Sequence, residues 1–168
     1  MKKTLRKLLL CSIIGTTLTT SIAFSQDCNY EKNAMDKTTG KLIKLTKMKT
    51  VCDNPAVSAG KMSTQKNGDD CSVNWKYDRG FNNTKFVVNK GSELIFVLDD
   101  ATIINLKRGE EKDNYPITKE QMESMLKSKV TIIKYFYTVI KNDTYDKETY
   151  TPSAKEGSKI QDLIKCIY

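Results

Sequence analysis

Histidine does not occur once in these 168 residues. Its absence removes Ser-His-Asp and Cys-His nucleophile systems, His-ligated zinc and the commonest general base near neutral pH. Arginine is nearly as scarce, limited to Arg6, Arg79 and Arg108. Phosphate and nucleic-acid surfaces rely on the bidentate guanidinium fork, so scattered lysines mixed with Glu and Asp read instead as solvated surface. No C-x-x-C pair is present, which excludes a thioredoxin-like redox motif and a zinc knuckle. Beyond residue 24 no apolar run approaches membrane-spanning length, and internal repeats and low-complexity stretches are missing. What remains for catalysis is carboxylate, lysine, tyrosine or thiolate chemistry.

The N-terminus carries the strongest signal. Lys2, Lys3, Arg6 and Lys7 precede an apolar run over residues 8–14 that continues, diluted by Gly15 and several Thr, to Ile22. Ala23-Phe24-Ser25 then places small residues at the −3 and −1 positions of a signal-peptidase site, and the first acidic residue is Asp27. This predicts residues 1–25 as a signal peptide cut after Ser25, with 26–168 forming a single secreted or periplasmic domain. An uncleaved anchor is the competing reading, weakened by its short length and its threonines. Lipoprotein processing fits neither Cys11, which follows three leucines, nor Cys28, which follows Ser25-Gln26-Asp27. Losing the four leading basic residues lowers the formal net charge from +8 to +4, a mild excess. Lysine-rich composition and this leader style point to a bacterial source, where the sequons Asn82-Asn83-Thr84 and Asn142-Asp143-Thr144 carry no meaning.

The mature chain keeps Cys28, Cys52, Cys71 and Cys166. An even count in an exported protein implies disulfides, with three possible connectivities. The expected pairing is Cys52–Cys71, closing a turn-rich insert, and Cys28–Cys166, tying the N-terminal segment to the final helix.

Periodicity outlines the domain. Residues 26–40 read as an extended lead-in and 41–52 as a first strand. Residues 53–70, with Pro55, Gly60 and Gly68, read as a long loop that could protrude and bind. In 71–77, Cys71, Val73, Trp75 and Tyr77 share one face while Ser72, Asn74 and Lys76 share the other, a strand with its aromatics inward. Short runs over 85–89, 93–98 and 102–107 complete an antiparallel meander. Thr118 and Gln121 form a capping box, flanked by an Ile117–Met122 staple, and open a short helix ending near Ser128. Residues 130–140 are apolar on both faces, which predicts a central, covered strand. Ser153 and Glu156 form a second capping box, after which Ile160, Leu163, Ile164 and Ile167 recur at helical spacing.

Candidate sites each have a bland competitor. Asp99-Asp100 could pair as carboxylates, but adjacent strand residues face opposite ways, which favours a hairpin turn. Glu110-Glu111-Lys112-Asp113 reads as a charged loop. Asn67-Gly68-Asp69-Asp70 has calcium-loop composition yet lacks alternating acidic ligands and a distant bidentate Glu, so no metal is expected. Trp75, Tyr77, Tyr135, Phe136 and Tyr137 read as core rather than as a stacking platform.

The segment Asn33-Ala34-Met35-Asp36-Lys37-Thr38-Thr39-Gly40-Lys41 resembles small secreted bacterial proteins with an E-x-D-x-F-T-G-like N-terminal motif. Asp36, Thr39 and Gly40 match, whereas Asn33 and Thr38 depart from the acidic and aromatic positions. The group carries no assigned function, so the resemblance implies no catalytic or binding residue.

Together these readings predict one α+β domain: a mostly antiparallel sheet of about five or six strands, with one helix before the last strand and one at the C-terminus. The expected role is a non-enzymatic binding module of the cell envelope or extracellular space, without cofactor or metal, nucleic acid or stable membrane span. It would engage an envelope or extracellular protein through the 53–70 loop or an exposed sheet edge. A structural envelope protein without a discrete ligand, or a carboxylate- or lysine-dependent hydrolase, are the alternatives.

Overall fold

The computed structural model describes residues 28–54, 58–79, 86–87, 92–111, 113–139 and 144–168. The chain is α+β and dominated by strand, as the pattern of short apolar runs predicts, but its strands form two antiparallel sheets rather than one.

The first sheet holds β1 (Tyr30–Met35), β2 (Leu42–Thr46), β3 (Lys49–Asn54), β4 (Ser58–Asn67), β5 (Asp70–Arg79) and β9 (Asn114–Pro116). Its path runs β1-β2-β4-β5-β9. β2 and β3 share one edge of β4, β2 opposite residues 65–67 and β3 opposite 58–62, so the expected single strand over 41–52 is broken near Lys47. The second sheet runs β11-β10-β7-β8, built from β6 (Phe86–Val87), β7 (Glu93–Leu98), β8 (Ile103–Lys107), β10 (Val130–Val139) and β11 (Thr144–Tyr150), with β6 also on β10. Helix α1 (Lys119–Lys127) precedes β10, and α2 (Ala154–Lys165) closes the chain. Two strands follow α1, not the single one expected.

The most consequential departure is β4. Residues 58–67 are not a loop but the middle strand of the first sheet, with Met62, Ser63 and Thr64 buried. Small and polar residues suit this place because β4 lies under a large aromatic. A Cβ on Gly60 would come within 2.6 Å of the Trp75 ring atoms Cη2 and Cζ2, so the indole rests on bare backbone. Thr64 donates from Oγ1 to the Leu163 carbonyl at 2.8 Å, and its N–H donates to Thr46 Oγ1 at 2.8 Å, so buried hydroxyls join sheet to helix.

Between the sheets, β5 sends Val73, Trp75 and Tyr77 inward to meet Tyr135, Tyr137 and Tyr150. The Tyr77 and Tyr137 rings stack with centroids 5.6 Å apart, and both hydroxyls donate to Glu148 Oε1 at 2.8 and 3.2 Å. Both capping boxes form. Thr118 accepts from the Gln121 N–H and Gln121 from the Thr118 N–H; Ser153 and Glu156 do the same. Glu156 Oε1 also accepts from the Asp53 N–H at 3.1 Å, and Lys159 Nζ donates to the Thr50 carbonyl, fastening α2 to β3.

Cys28 and Cys166 are joined, with Cα atoms 5.7 Å apart. Cys52 and Cys71 are both free thiols, which corrects the expected second bridge. Cys52 sits opposite Gly60 on one edge of β4, and Cys71 sits opposite Lys66 on the other. They are therefore roughly 20 Å apart along the strand and about 10 Å across it. A disulfide needs Cα atoms within about 7 Å.

β10 is central, as its composition predicts, with β11 on one edge and β7 and β6 on the other. Its coverage is one-sided. Ile133, Tyr135 and Tyr137 are buried, while Ile132, Lys134 and Phe136 on the outer face are only partly buried.

Candidate functional site

A cleft of about 710 Å³ opens where the β4–β5 turn, β9, the start of α1 and the C-terminal Tyr168 meet. Its position follows from local chain chemistry. Gly68, at φ +63°, makes the tight turn that brings Asn67 opposite Asp70. β9 is three residues long and pairs with β5 through Ser72, Val73 and Asn74. The capping box then swings α1 away from the sheet edge immediately after Ile117.

The floor is apolar, with Ile117 and Met122 nearly buried. The walls carry both signs of charge: Lys66 and Lys119 against Asp69, Asp70 and Glu111. Tyr168 closes one end. Its ring lies 5.9 Å from Lys119 Nζ, and its hydroxyl donates to Glu123 Oε1 at 2.8 Å, a bond that raises its pKa. On the sheet side, Asn114 Nδ2 donates to Ser72 Oγ at 2.7 Å and to Asn74 Oδ1 at 3.2 Å. That ladder buries Ser72, which strand alternation alone would place at the surface.

Cys71 is the thiol in the cleft lining, and it is poorly activated. Its Sγ lies 3.8 Å from the Asp69 and Ile167 carbonyl oxygens, and the carboxylates whose charge reaches it, Asp70 and Asp69, are exposed. Burial pushes its pKa up, with Lys66 pulling only partly the other way, so the thiol stays protonated. Cys52 is more deeply buried, and burial with the nearby Glu156 charge pushes it to about 12. Asp69, Asp70 and Glu111 are all exposed, so none has the desolvated setting that shapes a general acid. Among the described residues no group of three or more His, Cys, Asp or Glu could hold a metal ion.

The sequence candidates scatter. Asp99 and Asp100 form the β7–β8 turn, where Asp99 Oδ1 accepts from the Lys129 N–H and Asp100 Oδ2 from the Ser128 hydroxyl at 2.6 Å. Asp100 has a lowered pKa, chiefly from that hydroxyl and then from the Thr102 N–H. Asn67, Asp69 and Asp70 do reach the cleft, as parts of a hairpin turn. Of the 110–113 loop, Glu111 lines the cleft and Asp113 accepts the Trp75 N–H through its carbonyl. Asp36, Thr39 and Gly40 of the N-terminal segment build the β1–β2 turn. Asp36 Oδ1 accepts from the Thr38 and Thr39 N–H groups, and Gly40 takes φ +67°. The sequon residues Asn82, Asn83, Thr84, Asn142 and Asp143 lie outside the described residues, and Thr144 opens β11. Trp75, Tyr77, Tyr135 and Tyr137 are core, whereas Phe136 faces outward.

Lys66, Lys119, Met122 and Tyr168 were not readable as a site, because they come from a strand, a helix and the chain end. The turn signal at residues 67–70 was the one sequence clue to that location. No protein-family model matches this chain, and neither does any curated protein or solved structure. Among the described residues no helix is long and apolar enough to cross a membrane.

Proposed function

We propose that this chain is an exported, non-enzymatic binding module of the cell envelope or extracellular space that takes a short peptide segment of mixed charge in the cleft beside Cys71. One observation carries the reading: an apolar floor of Ile117 and Met122 lies between lysines and carboxylates, with no activated nucleophile or buried acid beside it among the described residues. Apolar grooves with a few convergent polar groups suit ligands, and opposite charges on the walls suit a chain that carries both. Export is supported by the Cys28–Cys166 bridge, which persists in oxidising compartments, together with the leader-like residues 1–25. A hydrolase reading gains nothing from carboxylates that are exposed, with Asp70 already 3.7 Å from Lys41 Nζ.

Selection of a random peptide library on the immobilised mature protein tests the proposal. Enriched peptides should slow alkylation of Cys71 by iodoacetamide, remain uncleaved, and bind about tenfold more weakly to Lys66→Glu or Lys119→Glu protein. Absence of enrichment, cleavage, or peptides indifferent to both substitutions would overturn it.

A further inference from the structure

The outer face of the second sheet has more apolar surface than a solvated face needs. Strand register aligns Ile132, Val97 and Ile103 in one row across β10, β7 and β8. Ile103 is 66% exposed, and Val97 and Ile132 are only partly buried. The next row holds Lys134 beside Ile95, with Asn105 and Thr149 at its ends. Phe136 lies further along β10, near the level of Lys147 and Lys107. A sheet face of this kind is normally covered by a helix or a second sheet, and contiguous apolar surface rimmed by polar groups marks interaction sites.

Charge indicates what kind of cover fits. Lys134 stands on the central strand among Ile95, Ile132 and Phe136, with no ion-pair partner among the described residues. Lys107 lies on the edge strand β8, and the acidic Glu93 faces it across the strands. Asp99 and Asp100, at the end of the face, are already engaged by Lys129 and Ser128. The face therefore presents an unpaired cation inside an apolar patch, with further lysines at its borders. A second copy of the same face would bring lysine against lysine. A bilayer is a poor match as well, because Ile95, Val97, Ile132 and Phe136 sit half sunk in the sheet and cannot reach the roughly 5–10 Å depth of interfacial insertion.

We propose that this face docks an amphipathic helix of a partner protein, its apolar stripe lying over Ile132, Val97 and Ile103 and its flanking carboxylates meeting Lys134 and Lys107. The surface is separate from the cleft, so neither proposal depends on the other.

The probe is a labelled synthetic helix of about 18 residues with a leucine stripe flanked by glutamates, followed by anisotropy; a twin carries lysines in place of the glutamates. The acidic helix should bind about tenfold more tightly than its twin and weaken as salt rises. Ile103→Asp and Lys134→Glu should each reduce that binding about tenfold, while the cleft variant Lys119→Glu leaves it unchanged. Ile103→Asp changes a side chain that is already largely exposed, so circular dichroism should match the parent. Equal binding of the two helices, or indifference to both face substitutions, sinks the proposal. Loss of sedimentation with phosphatidylglycerol vesicles in those same variants, without binding of the acidic helix, assigns the face to a membrane instead.

Discussion

At the residue scale, the closest fit in the molecule is Trp75 on Gly60. The indole is fully buried, its Nε1 has no hydrogen-bond partner among the described residues, and it rests on a backbone with no room for a methyl group unless the ring shifts. Gly60→Ala should cost about 1–3 kcal/mol through overpacking, read as a lower midpoint in urea with an unchanged slope. An unaltered midpoint would mean that Trp75 can move aside. The thiols offer a second residue-level test. Oxidised protein comprising residues 26–168, unfolded without reductant, should yield two alkylatable thiols, and tryptic mapping should find them at Cys52 and Cys71. In the folded protein Cys71 should react first, since Cys52 is buried and held in its protonated form by that burial. Recovery of a Cys52–Cys71 peptide would contradict the strand register itself.

At the scale of elements, the disulfide holds the outermost strand. β1 is exposed along almost its whole length and pairs only with β2 among the described residues, so few buried contacts keep it in place. The Cys28–Cys166 bond and the Tyr30 hydroxyl, which donates to the Cys166 carbonyl at 2.8 Å, supply the anchorage at its start. Replacing both cysteines by serine should lower stability by about 2–5 kcal/mol and raise amide exchange in β1 before any other strand. The elements also show what a sequence discloses. Both helices were legible, because capping boxes and i, i+3, i+4 spacing are local signals that nothing distant overrides. β5, β7 and β8 were legible for the same reason. β4 was not: Gly60, Ser63 and Gly68 favour turns in isolation and apolar alternation is missing, and only the overlying Trp75 and the Leu163 carbonyl give the segment a place in the sheet. β9 and β11 were missed because one is three residues long and the other carries Asp, Lys and Glu. The cleft inherits that difficulty, since its walls come from β4, α1 and the chain end.

At the scale of the whole molecule, several carboxylates are held below their ordinary range by hydrogen bonds. For Glu156, burial works in the opposite direction, but bonds from Ser153 and Asp53 outweigh it. Asp36 is lowered by the Thr39 and Thr38 N–H groups, and Asp100 by Ser128 and Thr102. A carboxylate with a depressed folded pKa contributes stability that is present above its unfolded value, near pH 4, and lost as pH falls through the folded value. The melting temperature should therefore hold from pH 7 to about 5 and drop steadily below 4. Glu156→Gln should lower the plateau and flatten the acid limb; an identical acid limb would show that this side chain does not couple α2 to β3.

The crosslink from Cys28 to Cys166 spans a sequence separation of 138 and makes the intervening backbone a covalent ring. A protease that cuts one exposed connection within that ring opens it without releasing a fragment. Nicked protein should run near full length on a non-reducing gel and separate into pieces only when reductant is added.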